Sequence, residues 1–145
     1  MLKALFVTLA LFAATPALAQ TADEVNAQID KLLGPHKVYE TAIASIQKAI
    51  TEKDMFALGG YIAYGETTKV NGADDTIADE ADLTARFDTL FNAKVVAAVT
   101  GQKYENLFVN ADGIMFGDGE LWISGECDDD ACENPFVTIT AINNR

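Results

Sequence analysis

The chain has 145 residues, 22 of them acidic and 10 basic, for a formal net charge of -12. Half of the residues are hydrophobic and 22% are charged, a balance that suits one folded domain with a buried core and argues against a disordered acidic tail. So large an acidic excess repels phosphate, which argues against nucleic acid and anionic membrane surfaces as partners.

Residues 1–19 read as an export signal. Lys3 supplies the positive start, residues 4–14 form an apolar run, Pro16 breaks any helix, and Ala17-Leu18-Ala19 has the small-x-small pattern that signal peptidase accepts. The run is shorter than the roughly 20 residues a bilayer span takes. Cleavage is expected before Gln20, leaving residues 20–145 as a single periplasmic domain with no membrane span. It removes Lys3 and no acid, so the exported chain is more acidic still.

From a Thr21 or Asp23 cap, Val25, Ile29, Leu32 and Leu33 recur at helical spacing until Gly34-Pro35 stops them. A longer helix is predicted over 38–50, with Val38, Ala42, Ile43, Ile46, Ala49 and Ile50 on one stripe. Thr51 followed by Asp54 resembles a capping box for a short helix through Met55, Phe56 and Leu58, interrupted at Gly59-Gly60. Residues 61–70 mix aromatic and β-branched side chains and predict a strand or an irregular extended segment. Asn71-Gly72 signals a turn, and the acidic residues 73–79 read as an exposed connection. A helix from about Asp79 puts Leu83, Phe87, Leu90 and Phe91 on one face, and a second, over 93–100, ends at Gly101. Strand-like segments follow at 107–110, 113–116, 120–124 and 136–142, with Asp118-Gly119 the strongest hairpin signal. Cys127 and Cys132 are the only cysteines, and an even count in an oxidising compartment predicts a disulfide across a hairpin tip. Their four-residue spacing departs from thioredoxin-like motifs, and Asp128, Asp129 and Asp130 disfavour a thiolate beside them. Helices first and an antiparallel sheet second make an α+β plan, with the helices on one sheet face.

The stretch Tyr104-Glu105-Asn106-Leu107-Phe108-Val109-Asn110, followed by Gly113-Ile114-Met115-Phe116-Gly117-Asp118-Gly119-Glu120-Leu121-Trp122-Ile123-Ser124, is distinctive. With the upstream run from Asp82 to Phe91 it resembles exported bacterial proteins of the NTF2-like group, which includes ketosteroid-isomerase-like and SnoaL-like members. The likeness spans about residues 46–143. It implies an NTF2-like, cystatin-like cone, with helices wrapped on a curved antiparallel sheet, a ligand cavity between them, and homodimerisation through the open sheet face. The group holds enzymes and non-catalytic binding domains alike, so the fold leaves the function open. On such a cone, Tyr61, Tyr64 and Trp122 would line or close the cavity, each joining an apolar face to a polar tip.

Chemistry-bearing residues are sparse. His36, the only histidine, reads as a solvated loop residue beside Gly34-Pro35. Ser45 and Ser124 sit in no nucleophile elbow, and no phosphate loop or dinucleotide fingerprint occurs. Asp112 and Glu120 flank the Gly113–Gly119 hairpin; one of them could serve as a base if burial raised its pKa, with Tyr61 or Tyr64 as oxyanion donor. Asp128, Asp129, Asp130 and Glu133 could offer oxygen ligands to a cation, but they lack the spacing of an EF-hand loop. No cofactor is indicated. The expectation is a non-catalytic domain that binds a small apolar ligand or a protein partner. An isomerase- or dehydratase-like enzyme, or an immunity protein whose acidic face meets a basic enzyme, are the alternatives.

Overall fold

Local sequence sets each helix boundary. In the computed structural model, which describes residues 20–127 and 135–145, α1 (Ala22–Leu32) opens on a capping box. The Thr21 amide donates to Glu24 Oε2 at 2.8 Å, and the Glu24 amide donates back to Thr21 Oγ1 at 3.3 Å. Asp23 and Glu24 in the first turn and Lys31 in the last complement the helix dipole. Helix α2 (His36–Glu52) buries Tyr39, Ala42, Ile43, Ile46, Ala49 and Ile50, the predicted stripe with Tyr39 added and Val38 at its partly buried margin. It stops at Lys53, whose left-handed φ of 52° ends the helical ladder.

Two readings of this region are corrected. His36 is the first residue of α2 rather than a solvated loop residue: its amide donates to Asp30 Oδ1 at 2.7 Å, and its ring Nδ1 lies 2.8 Å from Asp30 Oδ2. The short helix α3 (Met55–Gly59) is capped by Asp54, which accepts from the Ala57 amide at 3.0 Å. Thr51 is no cap; it lies inside α2, where its hydroxyl donates to the Gln47 carbonyl at 2.7 Å. A hydroxyl mid-helix can bond the preceding turn, so a Thr three residues before an acid is an ambiguous signal.

Strands β1 (Thr67–Val70) and β2 (Ala73–Thr76) form a hairpin around Asn71-Gly72. The acidic stretch expected as a connection thus begins with an edge strand. Its charges hid it from pattern reading, because an edge strand without a packed face needs no apolar alternation, and charge protects it from further pairing. Next come α4 (Glu80–Leu90), capped by Asp79, and α5 (Ala93–Gly101), capped by Asn92. A 3-10 turn at Tyr104–Asn106 leads into β3 (Phe108–Asn110), β4 (Gly113–Phe116), β5 (Leu121–Glu126) and β6 (Phe136–Ile142).

The molecule is α+β, with an open six-stranded sheet in the order β2-β1-β6-β5-β4-β3. The sheet is mixed, which corrects the all-antiparallel expectation: β1 runs parallel to β6, pairing Lys69 with Ala141 and Val70 with Ile142. Turn signals mark hairpins between sequence neighbours, but they carry no information on which edge a distant hairpin will join.

The helices cover one sheet face. Ile114 and Phe116 of β4, Leu121 and Ile123 of β5, and Ile139 and Ile142 of β6 are buried there with Ile46, Leu58, Leu83, Phe87, Val95 and Val99. Each fully buried aliphatic or aromatic side chain stabilises the fold by about 1.5–3 kcal/mol. Phe87 and Phe91 stack with ring centroids 5.2 Å apart. Along β5 the period of two turns Trp122 and Ser124 to the opposite face, and a bulge in the β5–β6 pairing after Trp122 leaves Thr140 out of register.

Candidate functional site

The segment between α3 and β1 is held from both sides. The Tyr61 amide donates to the Leu58 carbonyl at 2.9 Å, and the Tyr61 carbonyl accepts from the Ile139 amide of β6 at 2.8 Å. Four residues on, the Gly65 amide donates to the Ile77 carbonyl at 2.9 Å. This anchoring brings Tyr61 and Tyr64 to one apolar hollow of about 550 Å³, which Ser45, Phe56 and Glu80 also line. On the far side of Tyr61 a second hollow, of about 460 Å³, runs along α2 to the start of β6 and is lined by Val38, Ala42, Pro135 and Phe136. Both hollows share Gly60 and Tyr61 and so adjoin at Tyr61; the pair is termed the Tyr61 groove. Phe56 is 83% exposed and Phe136 54% exposed at its two rims. Lone exposed apolar side chains are common, whereas aromatics gathered around an apolar hollow mark a contact surface.

Tyr64 carries the one anomaly of this groove. Its hydroxyl is buried and has no hydrogen-bond partner among the described residues. It lies over Gly59, where a Cβ would come within 2.5 Å of it. Burial pushes the Tyr64 phenol above its ordinary pKa, and the charges of Glu80 and Asp79 push the same way. Tyr64 therefore stays a protonated donor at neutral pH, and an unpaired buried donor leaves hydrogen-bonding capacity to be met.

Trp122 is not part of this groove. It faces away from the helices, beside a hollow of about 340 Å³ shared with Lys69, Asp112, Thr140 and Ala141. Phe108 packs edge-on against it with centroids 6.3 Å apart. The alternation Leu121-Trp122-Ile123 was the available signal, since two apolar neighbours in the core oblige the residue between them to point outward.

The two carboxylates proposed as bases lie at opposite ends of β4, and neither lines the Tyr61 groove. Asp112 is exposed in the β3–β4 turn, where its amide donates to Asn110 Oδ1 at 2.9 Å. Glu120 is buried. Its Oε2 accepts from the Asp118 amide at 2.7 Å, and its Oε1 lies 3.3 Å from Lys94 Nζ. Burial pushes the Glu120 carboxyl up, but the Asp118 amide, its own amide and Lys94 together outweigh burial and hold it below the usual value. An ionised, hydrogen-bonded carboxylate of this kind stabilises a turn and makes a weak base at neutral pH. Glu80, which sequence reading did not single out, is the carboxylate that borders the tyrosines.

Cys127 follows β5, and no free cysteine occurs among the described residues. Its expected partner Cys132 and the acidic residues Asp128, Asp129, Asp130 and Glu133 lie outside the described residues. Among the described residues no group of three or more His, Cys, Asp or Glu side chains is placed to hold a metal, and no helix is long and apolar enough to cross a membrane. No protein-family model matches the chain, and no curated protein or solved structure matches it.

Proposed function

We propose that the chain is an exported, non-catalytic binding domain of the NTF2-like kind, which takes an apolar ligand, or an apolar segment of a protein partner, into the groove around Tyr61. Helices gathered on one face of an open mixed sheet support the cone-like reading. The signal-like residues 1–19 support export. The observation that carries the binding reading is the groove itself, rimmed by exposed Phe56 and Phe136 and floored beside an unpaired Tyr64 hydroxyl. The space between helices and sheet is occupied by the buried core, so an occupant is taken at the surface groove rather than deep inside. An isomerase-like reading would need Asp112 or Glu120 beside Tyr61 or Tyr64, and the fold sets them apart.

A ligand that buries about 200 Å² of apolar surface gains about 5 kcal/mol, which corresponds to a dissociation constant of about 0.2 mM. The neutral probe N-phenylnaphthylamine, whose fluorescence rises in apolar surroundings, tests this. Saturable binding by the native chain, weakened about tenfold in Tyr61→Ser, is the expected result. Equal binding by the native chain and Tyr61→Ser would remove the groove from consideration.

A further inference from the structure

Side-chain amides tie the β1–β2 turn to the residues after β6. Asn71 Nδ2 donates to Asn144 Oδ1 at 2.7 Å, and the Asn144 backbone amide donates to Asn71 Oδ1 at 3.0 Å. Asn144 Nδ2 donates onward to the Thr89 carbonyl at the end of α4, at 2.7 Å. The Asn144 carbonyl accepts from Asn92 Nδ2, the cap of α5, also at 2.7 Å. Both polar atoms of the Asn71 side chain are therefore engaged. The Asn144 amide cannot turn over without losing Thr89.

Asn71 is also the only asparagine followed by glycine. It has a left-handed φ of 52°, and Gly72, exposed at φ 80°, has open space where a side chain would stand. With no Cβ to shield it, the Gly72 amide is sterically free to approach the side chain before it. Holding the Asn71 carboxamide on Asn144 prevents that approach.

We propose that Asn71 is a deamidation site kept in check by Asn144, and that its conversion unfastens the corner where β1, α4 and α5 meet. In the reaction the Gly72 nitrogen gives its proton to solvent base and bonds to Asn71 Cγ. The Cγ–Nδ2 bond breaks as Nδ2 takes a proton from solvent, and ammonia leaves, giving a five-membered succinimide. Solvent water then opens the ring to an aspartyl or isoaspartyl residue, with no change in oxidation state. The aspartyl product lacks the donor that Nδ2 supplied, so a carboxylate oxygen meets Asn144 Oδ1, acceptor against acceptor. The isoaspartyl product lengthens the backbone of a two-residue turn and disturbs the β1–β2 register.

The test follows peptide mass and isoaspartate content at Asn71 in warm, mildly alkaline buffer. It compares the native chain, Asn144→Ala, and a free peptide spanning residues 67–76. The peptide and Asn144→Ala should modify at Asn71, with the native chain slower than Asn144→Ala by about fivefold, the factor expected from the one hydrogen bond to the Asn71 carboxamide that the variant loses, since the residue-144 backbone amide still donates to Asn71 Oδ1. Equal rates in the native chain and Asn144→Ala, or modification elsewhere with Asn71 intact, would overturn the proposal. Asn71→Asp, made genetically, gives a second readout that does not depend on how Asn144→Ala folds. It should melt below both the native chain and Asn71→Ser; a melting temperature equal to the native value would overturn the unfastening step.

Discussion

Replacing Gly113 with alanine tests the close approach of β4 to β5. Gly113 opens β4 with φ +140°, far from the left-handed basin that other residues occasionally occupy. A Cβ built there lies 2.2 Å from the Ile123 carbonyl oxygen and 3.1 Å from its carbon. Ile123 cannot retreat cheaply, because it pairs with Ile114 on one side and Ile139 on the other, and its side chain is fully buried. The conformational penalty alone is about 1–2 kcal/mol. Displacing a packed backbone adds about 1–3 kcal/mol, as other overpacking substitutions do. The sum, about 2–5 kcal/mol, is a large part of the 5–15 kcal/mol or so by which domains are stable. Gly72→Ala provides the control: φ is +80°, but nothing lies within 4 Å of the new carbon. Its loss should be the conformational penalty only, and the entropy gained by stiffening the unfolded chain is common to both variants. Urea unfolding, followed by Trp122 fluorescence and circular dichroism, should place Gly113→Ala about 1–3 kcal/mol below Gly72→Ala at an unchanged denaturant slope. Equal losses would refute the close contact between the strands.

Three further substitutions probe the polar framework. Arg86 joins Asp75 to Asp82, with Nη1 3.2 Å from Asp82 Oδ2, and also donates to the Thr76 carbonyl at 3.0 Å. The hydrogen bond from Arg86 is the main cause that holds the Asp75 carboxyl below its ordinary pKa, so this stabilisation is present above the ordinary carboxyl range and is lost as pH falls through the lowered value. Arg86→Ala should therefore cost about 0.5–1 kcal/mol at neutral pH, with the difference from the native chain shrinking in acid, measured by urea titration at several pH values. Glu120→Gln should behave in the same sense, losing about 1 kcal/mol at neutral pH and little in acid, because the Glu120 carboxyl is likewise held low. Tyr39 is fully buried and its hydroxyl donates to the Leu33 carbonyl at 3.0 Å, so Tyr39→Phe should cost about 1 kcal/mol in a melt at neutral pH.

The helices were largely legible because most announce themselves locally, except α3, whose cap is Asp54 and not Thr51. Thr21 and Asp79 are caps that the sequence marks, and Ile43, Ile46 and Ile50 recur at the spacing of one buried face. Strands β4 and β6 were equally plain, being short, apolar and β-branched between turn residues. What stayed hidden depends on distant partners. The parallel pairing of Val70 with Ile142 is set by contacts between residues far apart in sequence. Asp74 and Asp75 occupy an edge strand that hydrophobic patterning does not mark. At the site, aromatic chemistry singled out Tyr61, Tyr64 and Trp122 together, but the Trp122 side chain stands on the other sheet face. Phe56 and Phe136, which rim the groove and are exposed in the fold, were placed by sequence only in a short helix and a strand and not among the site residues.

The groove around Tyr61 and the Trp122 face are separate apolar surfaces that share no lining residue, so a bound probe can report on only one of them at a time. Titrating N-phenylnaphthylamine into isotopically labelled protein, while following backbone and aromatic resonances, distinguishes them directly. Saturable shifts confined to Phe56, Gly59, Gly60, Tyr61 and Tyr64 are the predicted result. Shifts centred on Phe108, Met115 and Trp122, or none at all, would contradict binding at the Tyr61 groove.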